Sequence, residues 1–512
     1  MVNDKSIKTV TEVQKIDTAV ATDELDRSLV SGIAWTAALR WVAQAVSWAG
    51  TLYAARILTP GDYGIAAAAT LPIGLVRMVE DFGLDAVLVQ DRRIEGQARA
   101  QLAGFALLLA SGLAIGFFVA AQPIAAFFKE PLVATAIQLM CPLVLLDALQ
   151  IVPRALLQRE LAYRRLAILG FVQVCVTQVA LIVAARAGLG YQSLVFNTLA
   201  GGTIVTAVLL YWRPYALRMP RDWRAIAAPI AQGWRLLMSR AAWYAYSNTD
   251  QTIVGRLLGK ELLGAYSFAT TFANLPIQEI TSAFSRVVPG VFSTVQHDRA
   301  QLRRYFFVLT EVIALLAIPS AVGLALVAEP LVALALGPQW AAVVAPLRIL
   351  CAAAAFTAVQ VLVSHVLMWT GRFRANMWCT FLAAAALPGA LYFGAGFSVA
   401  GVAWAMAIGL PIVNLPAIVI AARIMQASPR LWLRALLPAI LCSAAMAAGV
   451  LAEQSTIARG LSTALSLTVQ IATGAAIYVA ALLIFYRERV LALVAFVRGT
   501  PAASPVEASP SG

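Results

Sequence analysis

The stretch Arg40–Thr51 reads RWVAQAVSWAGT, and 200 residues later Arg240–Gln251 reads RAAWYAYSNTDQ. In both stretches polar residues recur at spacing i, i+4, i+7 and i+11, which places them on one face of a helix. These positions are Arg40, Gln44, Ser47 and Thr51 in the first copy and Arg240, Tyr244, Ser247 and Gln251 in the second. Both stretches lie inside long apolar segments. A polar stripe with a cation, repeated in two halves of a membrane chain, predicts two related helices that line a central cavity.

The composition predicts an all-α, polytopic membrane protein. Of the 512 residues 61% are hydrophobic and only 12% are charged, whereas soluble domains average about 25% charged residues. Apolar runs of about 20 residues recur along the whole chain. We predict about 14 spans, near residues 31–55, 62–80, 100–121, 131–151, 166–185, 190–211, 233–255, 262–284, 305–327, 341–369, 376–394, 399–422, 431–451 and 461–486. Twelve spans is the alternative count, with the last two dropped first.

The distribution of positive charge predicts the orientation. With the N-terminus inside, 29 of the 38 Lys and Arg residues fall on the cytoplasmic side, six fall outside, and three lie deeper within spans. This bias follows the positive-inside rule, so we read the formal charge of +13 as a topology signal and expect no nucleic-acid partner. Both termini are then cytoplasmic.

The spans and the repeat predict two parallel six-helix lobes around a cleft. The expected parts are an N-terminal cytoplasmic tail at 1–30, a first lobe at 31–212, a cytoplasmic linker at 213–232, a second lobe at 233–424, two additional spans within 430–486, and a partly disordered cytoplasmic tail at 487–512. The two copies share eight of 31 residues between 40–70 and 240–270. Among them are Gly64 and Gly264, which we expect to permit close helix packing, and Arg56 and Arg256, which we expect at the outer interface.

Four segments carry a family resemblance. Leu52–Thr70 reads LYAARILTPGDYGIAAAAT, Asp81–Gln90 reads DFGLDAVLVQ, Asn248–Ala269 reads NTDQTIVGRLLGKELLGAYSFA, and Leu275–Ser293 reads LPIQEITSAFSRVVPGVFS. They resemble the polysaccharide-transporter branch, the Wzx-like oligosaccharide flippases, of the multidrug/oligosaccharidyl-lipid/polysaccharide exporter superfamily. The resemblance covers nearly the whole chain, from about Val30 to Arg489.

The resemblance implies a V-shaped bundle of two lobes that alternates between states open to the two sides of the membrane. The implied cargo is an oligosaccharide repeat unit on undecaprenyl diphosphate, destined for exopolysaccharide, capsule or O-antigen. The two helices after the twelfth span resemble an extra pair that can form a groove for a lipid tail. A polysaccharide polymerase and export machinery are the implied protein partners.

The cleft residues are predicted from these patterns. We expect a diphosphate and sugar site formed by Arg40, Gln44, Ser47, Arg240, Tyr244, Ser247, Asn248 and Arg348. Arginine suits phosphate because it stays charged and donates two parallel hydrogen bonds. Arg40 and Arg240 lie about 10–15 Å into their spans at 1.5 Å per residue, so snorkelling to the interface is the alternative. For Arg348 the alternative is a salt bridge to a neighbouring helix.

Buried carboxylates and span prolines complete the candidates. Asp250 and Glu279 are the first choices for a proton- or cation-coupling site, with simple pairing to an arginine as the alternative. Asp147 is a weaker candidate of the same kind. Pro72 and Pro276 interrupt spans 2 and 8 and are candidate hinges for an alternating motion, with fixed kinks as the alternative.

Other functional classes find less support in the residues. No DxD, Walker or GxGxxG motif occurs and the outer loops are short, so we expect no enzyme, and a membrane polysaccharide polymerase is the remote alternative. The chain has only two histidines, and its five cysteines all lie within apolar runs. We therefore expect no metal site, no catalytic residue and no cofactor. The alternatives within the superfamily are a multidrug/cation antiporter and a lipid II flippase. Arginine in both stripes favours an anionic cargo.

Overall fold

The computed structural model describes residues 35, 38–81, 84–91, 94, 96–221, 227, 230, 231, 234, 237, 243, 244, 246–295, 298–456 and 462–489. Arg240 of the predicted site, the N-terminal tail at 1–30 and most of the C-terminal tail at 487–512 lie outside these residues, as does part of the linker at 213–232. All regular secondary structure within the described part is helical.

The first half of the chain forms seven described helices. They are α1 (residues 38–55), α2 (Pro60–Asp81), α3 (Leu84–Gln90), α4 (Gly96–Phe128), α5 (Leu132–Arg159), α6 (Tyr163–Arg186) and α7 (Gln192–Trp212). The second half contains α8 (Thr249–Leu258), α9 (Lys260–Val295), α10 (Arg299–Leu326), α11 (Ala328–Ala335), α12 (Val344–Trp369), α13 (Phe373–Ala395), α14 (Val399–Met425), α15 (Pro429–Thr456) and α16 (Thr463–Phe485). A 3₁₀ turn, Pro338–Val343, leads into α12.

The prediction of an all-α, multi-pass membrane protein is confirmed. Within the described residues eleven helical stretches are long and apolar enough to cross a membrane. They coincide with eleven of the predicted spans, including the final pair, α15 and α16. Predicted spans 1 and 7 include residues outside the described set, and predicted span 8 lies within the 36-residue helix α9.

Helix starts follow from local side-chain chemistry. Before α2, the Thr59 hydroxyl donates to Asp62 Oδ2 at 2.7 Å and accepts from the Asp62 amide at 3.2 Å, while the Thr59 amide donates to Asp62 Oδ2 at 2.9 Å. This reciprocal cap satisfies first-turn amides, and Pro60 occupies the first helical position, where no amide is needed. Asp298 caps α10 by accepting from the Ala300 and Gln301 amides, and these bonds lower the pKa of its carboxyl.

The structure consists of two compact units that interleave along the chain. Unit 1 comprises Met1–Ile57, Val76–Val119 and Ile137–Met238, and unit 2 comprises Leu58–Leu75, Ala120–Ala136 and Ser239–Gly512. The start of α2 and the turn between α4 and α5 therefore belong to the same unit as the second half. The boundaries of the two predicted lobes stay a prediction.

Polar contacts within unit 1 join helices and loops. The guanidinium of Arg159 donates to the carbonyls of Leu88, Asp91 and Ile94 and so closes the loop after α3. Arg77 Nε lies 2.5 Å from Asp147 Oδ2. Gln150 donates to the Thr206 hydroxyl at 3.0 Å and thereby links α5 to α7. Asp147, the weaker coupling candidate, is therefore paired with an arginine.

The additional helices α15 and α16 are held in unit 2 by aromatic and polar contacts. Trp432 packs edge-on against Phe306 and Phe307 of α10, with ring centroids 5.2 and 5.5 Å away. The Gln454 amide donates to Gln470 Oε1 at 3.2 Å and joins α15 to α16. Hydrogen bonds between side-chain amides stabilise helix pairs in lipid, because the apolar surroundings offer few competing partners.

Candidate functional site

Two members of the first polar stripe are accessible on α1. Arg40 and Gln44 are exposed, and Ser47 and Thr51 are half-buried. Gly50, on another face, packs so tightly against the side chain of Gln178 in α6 that an added Cβ would collide with it. One side of α1 is thus used for packing inside unit 1, while Arg40 and Gln44 remain accessible.

The second stripe differs because a helix break falls inside it. Residues 246 and 247 are helical, Asn248 is a turn residue, and α8 begins at Thr249. The Asn248 amide group donates to the Tyr244 carbonyl at 2.9 Å and to the Ser247 hydroxyl at 3.2 Å. Ser247 is exposed. The backbone hydrogen bonds from the Asn248 amide to the Tyr244 carbonyl and from the Thr252 amide to the Asn248 carbonyl are kept. The break is therefore a local distortion, which the helical spacing alone did not reveal.

Tyr244 has a partner that the sequence did not indicate. Its hydroxyl donates to the Leu71 carbonyl of α2 at 2.8 Å. A Cβ added to Gly74, one turn further along α2, would collide with the Tyr244 hydroxyl. Tyr244 thus holds the middle of α2 against the second half of the chain, and a role in sugar binding remains a prediction.

Arg348 stands at one end of an apolar cavity. The cavity has a volume of about 590 Å³ and is formed by α10, α12, α14 and α15. Its lining includes Val322, Phe356, Ile418 and Trp432, and it extends along α12 from Arg348 to Gln360, about 18 Å at 1.5 Å per residue. Arg348 also pairs with Glu329 at 3.1 Å. The salt bridge to a neighbouring helix, which is the predicted alternative for Arg348, is therefore present.

The two coupling candidates have different surroundings. Asp250 is only 4% exposed, and the Tyr266 hydroxyl donates to its Oδ2 at 3.0 Å. Glu279 is half-buried in α9. The candidate hinges Pro72 and Pro276 lie inside α2 and α9. Among the ion pairs of the described residues, none involves Asp250.

The repeated glycines bring two helices into contact, which confirms the prediction of close packing. A Cβ on Gly64 would collide with the Lys260 carbonyl group, and a Cβ on Gly264 would collide with that of Pro60. Pro60 and Lys260 are themselves separated by the repeat distance of 200 residues. The first turns of α2 and α9 thus cross in a two-fold related manner. Tyr63, Phe268 and Trp340 pack together beside the crossing, with ring centroids 4.5 to 5.3 Å apart.

Ionic contacts at this crossing were missed from the sequence. Lys260 Nζ lies 3.0 Å from Glu130 Oε2, and Arg256 donates to the carbonyls of Ala126 and Phe127 at the end of α4. A signal was available, because Glu130–Ala134 and Glu329–Ala333 both read EPLVA. The second copy of this motif contains the Glu329 that pairs with Arg348.

Comparison with known proteins gives the family. A family model described as "Polysaccharide biosynthesis protein" matches residues 54–345. The chain is 26% identical over 341 residues to the succinoglycan biosynthesis transport protein ExoT of Rhizobium meliloti (strain 1021), covering 67% of this chain and 69% of ExoT. It is 22% identical over 369 residues to the lipopolysaccharide biosynthesis protein WzxC of Escherichia coli (strain K12), covering 70% and 74%.

The fold has a solved counterpart. The structure of the lipid II flippase MurJ in an inward closed conformation superposes with a TM-score of 0.71 at 12% identity, covering 89% of this chain and 99% of that chain. At this identity the similarity establishes the fold alone. Together with the family match, which covers more than half of the sequence, it confirms the resemblance seen in the sequence motifs. The chain belongs to the polysaccharide biosynthesis protein family of membrane transporters.

Proposed function

We propose that this protein translocates undecaprenyl-diphosphate-linked oligosaccharide repeat units across the bacterial inner membrane, by alternating access of two lobes and without catalysing a reaction. Relatives named for succinoglycan transport and lipopolysaccharide biosynthesis support this cargo class. The product would serve exopolysaccharide, capsule or O-antigen synthesis. The biased distribution of Lys and Arg supports cytoplasmic N- and C-termini.

Arg40 and Gln44, the two accessible residues of the α1 stripe, carry the proposal. Arg40 and Gln44 are exposed on α1, next to the exposed apolar side chains of Trp41 and Val42. An arginine facing lipid at mid-depth costs roughly 3 kcal/mol on insertion scales. A helix that keeps such residues accessible therefore suits a water-filled path better than a lipid contact. The stripe that contains Tyr244 and Ser247 recurs at the repeat distance and supports a second wall of the same path.

Arg40 and Arg240 would bind the diphosphate. Guanidinium groups form paired, charge-assisted hydrogen bonds with phosphate oxygens. Gln44, Ser47, Ser247 and Asn248 would offer hydrogen bonds to sugar hydroxyls. The apolar cavity with Arg348 at one end would take part of the isoprenoid chain, because its lining is almost entirely hydrocarbon.

Asp250 and Glu279 would couple transport to an ion gradient. Replacing Asp250 with asparagine keeps the side-chain volume and the Tyr266 contact but removes the titratable charge. We expect Asp250→Asn to transport at the same rate with and without a proton or sodium gradient in proteoliposomes, while the wild type is stimulated. Tyr266→Phe, which leaves the carboxylate in place and removes one hydrogen bond worth about 1 kcal/mol, should remain gradient-stimulated. A gradient response in Asp250→Asn equal to the wild type would rule out this role.

The cargo is tested by deleting the gene and measuring both surface polysaccharide and undecaprenyl-diphosphate-linked oligosaccharide by mass spectrometry. We expect surface glycan to be lost and a completed lipid-linked repeat unit to accumulate, because synthesis continues while translocation stops. Complementation with the intact gene should reverse both changes. Unchanged glycan precursors together with a new drug sensitivity would refute the proposal and favour an antiporter of the same superfamily.

A further inference from the structure

The crossing of α2 and α9 joins the two halves of the chain at the end that the charge distribution assigns to the outside. At Gly64 and Gly264 the two helices are in contact through their backbones. A side chain at Gly64 would collide with the Lys260 carbonyl, and a side chain at Gly264 would collide with the Pro60 carbonyl. Residues from both halves also form the adjacent aromatic cluster of Tyr63, Phe268 and Trp340. In a carrier that alternates by separating its halves, cargo cannot leave at this end while the crossing is intact.

Two contacts of cationic side chains lie beside the crossing: an ion pair to the turn between α4 and α5, and hydrogen bonds to the last turn of α4. Lys260 pairs with Glu130 at 3.0 Å, and both side chains are partly exposed, at 37% and 19%. Arg256 donates to the last carbonyls of α4, and its guanidinium carbon lies 5.1 Å from the centroid of the Phe127 ring. A cation at a helix C-terminus is stabilised by the helix dipole.

The internal repeat does not reproduce the Glu130–Lys260 pair at the equivalent residues of the other copy. The two EPLVA motifs place Glu130 and Glu329 at equivalent positions, and Pro60 and Lys260 are also equivalent. By the two-fold relation Glu329 would pair with residue 60, but proline has no charge to offer. Glu329 pairs instead with Arg348 of its own half at 3.1 Å. Only one of the two related carboxylates therefore bridges the halves.

We propose that Glu130 and Lys260, supported by Arg256 on the α4 terminus, form a single electrostatic latch that stabilises the closed outer end during the transport cycle. The proposal rests on the alternating access proposed above. Because the pair is partly exposed, its loss should shift the balance toward the open outer end by about two- to five-fold. A weak latch suits a carrier, since a closure that opens and closes in every cycle must be nearly balanced in free energy.

The latch is tested by thiol labelling of an Ala69→Cys probe in the full-length protein in intact cells. Ala69 is fully buried in α2 beyond the crossing, so a membrane-impermeant maleimide applied from outside reaches it only when the outer end opens. The same protein without the probe provides the background from the five native cysteines. We expect Lys260→Met and Glu130→Gln each to raise the labelling rate about two- to five-fold, and the two together to do no more than either alone.

Two further variants decide the outcome. The charge exchange Glu130→Lys/Lys260→Glu should restore the slow labelling, and it remains informative even where a single variant is poorly folded. Glu329→Gln removes the equivalent carboxylate within the second half and should leave labelling unchanged. Unaltered labelling in Lys260→Met, or equal increases in Glu130→Gln and Glu329→Gln, would overturn the latch. Because labelling does not depend on the cargo, the latch and the proposed cargo can fail separately.

Discussion

Replacing Gly64 with leucine should reduce transport at least about ten-fold, whereas the same replacement at Gly112 should leave transport within about two-fold of the wild type. The reason is that the space beside Gly64 is filled by the backbone carbonyl of Lys260, whose carbon would lie 2.5 Å from the new Cβ. A flexible side chain could rotate away from such a contact, but a helix backbone cannot. The helices would have to move apart, and the outer end would remain open.

Gly112 is a matched control for this substitution. It also lies within a membrane helix, α4, but an added Cβ would meet no atom within 4 Å. Leucine at Gly112 therefore adds apolar surface without displacing a neighbour. Gly264→Leu should behave like Gly64→Leu, because its Cβ would lie 2.9 Å from the carbonyl carbon of Pro60.

The measurement is recovery of surface polysaccharide in the deletion strain, normalised to the amount of each variant in the membrane. Labelling of the Ala69→Cys probe gives an independent reading, and we expect it to rise in Gly64→Leu. Full transport by Gly64→Leu at normal abundance would show that the helices need not cross this closely during the cycle. Loss of transport in Gly112→Leu as well would point to a general sensitivity of the fold.

The sequence predicted those features that depend on local spacing. The number of apolar runs gave the all-α membrane fold, and the repeat identified Gly64 and Gly264 as residues that permit close packing. The sequence could predict both features because each pattern extends over only about 20 or 30 consecutive residues. The cap at the start of α2 is likewise local, since it is formed by Thr59, Pro60 and Asp62.

Features that depend on tertiary contact were not predicted. Tyr244 was assigned to sugar binding, yet its hydroxyl donates to a carbonyl 173 residues away. The residues around Lys260 and around Glu130 do not predict that these two side chains form an ion pair. The repeated EPLVA motif relates Glu130 only to Glu329. The helix break at Asn248 was hidden because the surrounding residues keep a helical polar period. Side-chain partners distant in sequence are set by how helices pack, which spacing along one helix does not encode.

The double variant Arg40→Ala/Arg240→Ala should fail to restore surface polysaccharide in the deletion strain while reaching the membrane at normal levels. A hydrogen bond between charged groups contributes about 1.5–3 kcal/mol, so each arginine that contacts the diphosphate should account for about a ten-fold or larger loss of cargo affinity. Each single variant should therefore be impaired, and the double variant should be impaired more. The measurement is lipid-linked oligosaccharide accumulation together with surface glycan.

Lysine at the same positions separates diphosphate binding from snorkelling, which are the two explanations for arginines at this depth. Arg40→Lys/Arg240→Lys keeps the charge and the long apolar stem, so a snorkelling role would be preserved and transport would be normal. Lysine cannot form the two parallel hydrogen bonds of a guanidinium, so a diphosphate contact would be weakened and transport reduced. Arg165→Ala, which removes an exposed arginine from the first turn of α6, is the control for loss of positive charge alone. Normal transport by the lysine variant would assign Arg40 and Arg240 to the membrane interface, whereas reduced transport by lysine and near-complete loss by alanine would assign them to the path of the cargo.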